Sequence, residues 1–246
     1  MKIKILKIIK EINYLNKKIN PSILASSFTF YLVISIVPLF ILISNILVEL
    51  KIITNVNRTF FSSNFLNGIF LLSGLIWSSS KVVHNLYVIS DLIYFDETNR
   101  SFINLRIESI IFTIIVLLII VFIITLFVYI SYIKLILIKY VVLIDVLQFF
   151  ILFGLIILLI ALIYKYVVPI KIKIKETILI ATIISIILFI SVILYQRLIK
   201  FLVISSLYKL YLDYTNLIVT LLWLYFNCYI FLVGIGFIFI KNKYKK

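Results

Sequence analysis

Along most of the chain Ile, Leu, Phe and Val follow one another in long runs that show no strand-like alternation. Crossing the hydrocarbon core takes roughly 20 mostly apolar helical residues. Five runs plainly meet that length, at about 23–50, 108–133, 140–164, 176–199 and 214–240. Because they are continuous, they predict helices, which satisfy their own backbone in lipid, and not a barrel. Between the first two lies 66–94, where "WSSSKVVHNLYVISD" from residue 77 breaks the pattern with serines, a lysine, the only histidine, an asparagine and an aspartate. On a helix, Ser80, His84, Tyr87 and Asp91 fall within about 60° of arc. Leu75, Ser79, Val82, Leu86, Ile89 and Ile93 gather opposite them. The segment therefore reads as a further spanning helix with a narrow polar stripe. An Asp or Lys at the centre of a span costs ~2.5–3.5 kcal/mol on insertion scales. The stripe is accordingly expected to face other helices or a hydrated cavity.

The fold class is thus all-α integral membrane protein, with six spans filling 21–241 as one membrane domain. A basic amphipathic interfacial helix precedes them over 1–20, and a basic tail follows over 242–246. In the first of these, Ile5, Ile8, Ile12, Leu15 and Ile19 recur at helical spacing among lysines, a pattern suited to anionic lipid. The first span exceeds the ~7–15 residues of a signal-peptide core and is expected to stay as an anchor. Composition agrees, with 65% hydrophobic residues and a mean hydropathy of +1.28, since ordinary soluble domains are about 45–50% apolar.

The net charge of +15 changes the picture through its placement. With six spans, 16 Lys and Arg lie on the side of the termini and 7 on the other. That bias places both ends in the cytoplasm and requires 66–94 to cross. Lysines at the ends of apolar runs anchor a membrane protein without any polyanion, so nucleic acid is not an expected partner. Cys228, the single cysteine, excludes an intrachain disulfide.

Ser80, His84 and Asp91 invite comparison with a hydrolytic triad, but Asp91 lies seven residues past His84, about 10 Å along the axis. No catalytic residue is assigned. A lone histidine without clustered carboxylates offers no metal site, and no phosphate-binding or dinucleotide fingerprint is present, so no cofactor is expected. Other spans add candidates for a binding or cavity-lining face. Tyr31 and Ser35 precede Pro38, which is expected to kink the first span. Asp145 and Gln148 share a face in the fourth, and Asn227 lies in the sixth. Most intramembrane serines are expected to make interhelical hydrogen bonds worth ~0.6 kcal/mol each. An intramembrane carboxylate such as Asp145 is a functional candidate unless it reaches the interface.

Several short motifs, in order, resemble the YihY/virulence factor BrkB family of bacterial inner-membrane proteins. "TFYLVISIVPL" is similar to the family's first-span signature ending in Pro38. "IWSSSKVVHNL" resembles its Trp-Ser-x-Ser element at Trp77 and Ser78. "YFDETNRSFINLR" is similar to the acidic turn and the Arg-x-Phe…Arg element that includes Arg100, Phe102 and Arg106. Pro169, Tyr211, Trp223, Tyr225 and Gly234 match the spacing of the remaining motifs. Leu212, Ile235, Gly236 and Asp91 depart from the family pattern. The resemblance implies six helices and the bacterial cytoplasmic membrane. It brings an older ribonuclease label, for which the chain offers no carboxylate cluster, metal ligands or soluble basic groove.

Two functions remain in view. In one, the protein is a non-enzymatic transporter-like handler of a lipid or other anionic amphiphile. Tyr31, Ser35, Ser80, His84, Tyr87 and Asp91 would line its path, and Arg100, Arg106, Lys171, Lys173 and Lys175 would meet the headgroup. In the other it is a scaffold or subunit docking a membrane-protein partner or a second copy. An intramembrane enzyme would need two of His84, Asp91, Asp145 and Asp213 to converge.

Overall fold

The structure, a computed structural model, describes residues 20–49, 65–94, 101–136, 140–169, 172–204 and 212–243. Six helices account for nearly all of them: α1 (Pro21–Glu49), α2 (Phe65–Tyr94), α3 (Phe102–Ile136), α4 (Val141–Val167), α5 (Ile174–Ile204) and α6 (Leu212–Lys243). Residues 1–19 of the amphipathic helix expected over 1–20 and the end of the basic tail lie outside the described residues, as do Arg100, Lys171 and Tyr211.

Helix ends follow local chemistry. Pro21 opens α1 at a position where its missing N–H costs nothing, and the Asn20 carbonyl accepts from the amides of Ile23 and Leu24. α1 continues through Pro38 to Glu49 without ending there. α4 stops before Pro169, whose ring disfavours helical geometry in Val168; Val168 is extended, and its amide still donates to the Tyr164 carbonyl. At the start of α5 the Lys173 carbonyl accepts from the amides of Glu176 and Thr177.

Each helix packs on the next in sequence, and α6 returns to pack on α1, closing a ring. α2 also touches α4 and α6, so it is the most enclosed helix as well as the least apolar. α3, α4, α5 and α6 are each long and apolar enough to cross a membrane, and α1 contributes a shorter described apolar stretch, Pro21–Ile36. The main core joins α1, α2, α4, α5 and α6 around Ala25, Leu86, Tyr164, Ala181 and Ile235. Val83 and Tyr87 of α2 form a smaller cluster with Leu105 and Phe112 of α3.

Candidate functional site

The stripe on α2 does not point into the middle of the ring. The face opposite it, with Leu75, Val82, Leu86, Ile89 and Ile93, is buried, and most of it belongs to the main core. The stripe itself turns towards α3: Ser80 and Tyr87 are buried, Tyr87 against Leu105 and Phe112. His84 and Asp91 are half-buried. Beside the stripe runs an exposed strip of Trp77, Lys81, Val88 and Leu92. The polar groups therefore follow the rim of the α2–α3 seam, with an open flank to one side.

Across this seam α3 supplies Arg106. Its guanidinium lies over the Trp77 ring, 4.6 Å from the centroid, an arrangement worth about 0.5–1 kcal/mol exposed and 2 or more when desolvated. Trp77 remains 58% exposed, and His84 sits beside the Leu105 carbonyl and the Arg106 guanidinium. The Nη2 of Arg106 is buried with no hydrogen-bond partner among the described residues. Arg106, His84 and Trp77 thus come together, with Lys81 one turn further along the same strip. An Arg fork held over an aromatic ring with one nitrogen unpartnered suits a phosphate or carboxylate, which such a fork can meet bidentately.

The remaining candidates are dispersed. Ser80 donates to the Trp77 carbonyl at 2.9 Å, Ser78 to that of Leu75 at 3.1 Å and Ser35 to that of Leu32 at 2.8 Å. Tyr31 and Tyr225 are partly buried on the main core. Asp145 is exposed and ion-paired with Lys134 of α3, whereas Gln148, one turn on, is buried. The two do not act as one polar face, and Asp145 lies at the start of α4, far along the bundle from Asp91 near the end of α2. Lys173 and Lys175 are exposed around the start of α5. Phe102 is the first residue of α3, and Pro169 directly follows α4 and Val168.

Asn227 belongs to a second polar group between α5 and α6. Its amide donates to the Trp223 carbonyl at 2.7 Å, and Ser191 Oγ lies 2.5 Å from its Oδ1. The Trp223 indole donates to the Ser191 carbonyl at 3.3 Å and stacks on Tyr195, whose hydroxyl pairs with Thr220 at 2.8 Å. A cavity of about 300 Å³ lies against this group.

Sequence reasoning missed two joints. Ser27 of α1 and Asn85 of α2 are hydrogen-bonded at 3.1 Å. Tyr164 of α4, fully buried, donates to the Phe231 carbonyl of α6 at 2.9 Å and packs its ring on that of Phe231. Its hydroxyl occupies the space that a Cβ on Gly234 would need. No pattern within one helix reveals a partner 67 residues away. The expectation for the serines also changes. Most hydroxyls, including those of Thr29, Ser109, Thr113 and Ser185, bond a carbonyl one turn back in their own helix, so they need no neighbour.

No curated protein and no solved structure matches the chain. The family model described as virulence factor BrkB matches residues 17–245. That span includes all six helices, the Trp77–Arg106 seam and the Tyr164–Gly234 joint, and the chain is a member of the virulence factor BrkB family.

Proposed function

We propose that this protein is a non-enzymatic transporter-like handler of a lipid or other anionic amphiphile. All six helices would cross a bacterial cytoplasmic membrane with both termini in the cytoplasm. The observation that carries the reading is the rim position of the α2 stripe. A headgroup could follow Trp77, Lys81, His84 and Asp91 along the α2–α3 seam while its chains stay in the bilayer beside the exposed strip. Arg106, over the Trp77 ring with a donor to spare, is the natural headgroup contact.

Reconstitution with labelled lipid tests this. The protein should speed transbilayer exchange of an anionic lipid over empty liposomes. Arg106→Gln should remove a charge-assisted contact worth about 1.5–3 kcal/mol, slowing exchange by roughly ten- to a hundredfold and affecting a zwitterionic lipid less. Exchange at the empty-liposome rate would sink the proposal. A scaffold role is the second reading, favoured by the largely exposed apolar surface of α3. It requires stable co-purification with a membrane protein, and exchange at the background rate.

A further inference from the structure

The cavity between α5 and α6 lies apart from the seam. Leu194 and Leu198 on one helix and Leu222 and Phe226 on the other form its walls. All four are exposed at the protein surface, Leu194 and Leu222 by 62%. The half-buried rings of Tyr195 and Trp223, stacked at 4.7 Å, form its inner side. The polar edges of these rings are already engaged by Thr220 and the Ser191 carbonyl, so they present apolar faces.

The size of the cavity selects its occupant. Two turns of a helix about 10–12 Å across fill on the order of 1,000 Å³, so a partner helix does not fit within about 300 Å³. A single hydrocarbon chain does. Charge completes the choice. Arg197 stands exposed on α5 one turn beyond Leu194, flanking the open edge of the cleft towards the end of the helix, whereas Lys200 lies on the helix's far side. Residues 195–216 hold three basic side chains against one acid, Asp213.

We propose that this cleft is a lipid-binding site: one acyl chain of an anionic lipid lies against Trp223 and Tyr195, and its headgroup meets Arg197. The site stands whether or not the α2–α3 seam moves lipid.

The chain has two tryptophans, so Trp77→Phe leaves Trp223 as the sole reporter. Bromine on an acyl chain quenches indole fluorescence only on contact. Protein in nanodiscs of unlabelled phosphatidylcholine should receive rising fractions of chain-brominated phosphatidylglycerol or, separately, chain-brominated phosphatidylcholine. The anionic lipid should reach half-maximal quenching at a roughly tenfold lower fraction, the effect of one charge-assisted contact. Arg197→Gln should merge the two curves, Lys200→Gln should leave them apart, and Val219→Phe, which fills the cleft, should weaken quenching by both lipids. Coincident curves without any substitution would overturn the headgroup contact. An unquenched Trp223 would overturn chain entry and would mean that something other than lipid covers the cleft.

Discussion

At Gly234 the absence of a side chain is a packing requirement. A Cβ there would overlap the Tyr164 hydroxyl and approach Tyr164 Cζ to 2.8 Å and Ile184 Cγ1 to 3.1 Å. Tyr164 cannot easily yield, because it is fully buried and its hydroxyl holds the Phe231 carbonyl. Gly234→Ala should therefore destabilise the protein by about 1–3 kcal/mol, the usual cost of overpacking, as read by unfolding in detergent. Tyr164→Phe alone should cost about 0.5–1.5 kcal/mol through the lost hydrogen bond. In the double variant the costs should fall short of their sum, since removing the hydroxyl clears the nearest clash. Full additivity would show that the hydroxyl is not what excludes the Cβ. The sequence showed Gly234 at a matching interval after Trp223 and Tyr225, but its reason for being glycine sits on another helix.

α2 shows how far periodicity reaches at the scale of an element. The 3.6-residue repeat separated the Ser80–Asp91 stripe from the Leu75–Ile93 face, and both sides meet protein because α2 touches four neighbours. Periodicity could not name those neighbours, nor show that the stripe follows a rim. The Ser27–Asn85 bond is one element-level device that sets α1 against α2. Asn85→Ala and Ser27→Ala should each destabilise modestly, with a coupling of about 0.6 kcal/mol in a double-mutant cycle. Zero coupling would leave the α1–α2 contact to apolar packing alone, around Ala25, Phe28 and Leu86.

For the whole molecule, the six helices of the described residues and their approximate bounds were readable because long apolar runs have few alternatives. Ring order was not readable, because contacts such as α1–α6 depend on side-chain fit between distant segments. Sidedness can be tested directly. Cys228 is buried on α6, so in a Cys228→Ala background single cysteines placed at the two termini should be blocked only by a reagent that enters the cell. Labelling of either terminus from outside would exclude an even number of crossings with cytoplasmic ends. The Lys134–Asp145 ion pair, partly exposed between α3 and α4, should contribute at most about 1 kcal/mol, and Asp145→Asn should leave thermal stability nearly unchanged.

The enclosure of α2 also bears on biogenesis. It is the least apolar of the six helices and carries Lys81, His84 and Asp91 in its second half, so on leaving the ribosome it is a poor substrate for lateral release into lipid. It needs shelter before α3 exists, and α1, which precedes it and packs on it, is already made. We expect the insertion machinery to take up α1 and α2 together, as a pair. A nascent chain truncated after residue 94 should resist alkaline extraction when α1 is present and lose that resistance when α1 is replaced by an unrelated span. The polar seam that would serve function in the finished protein thus imposes an order on its assembly.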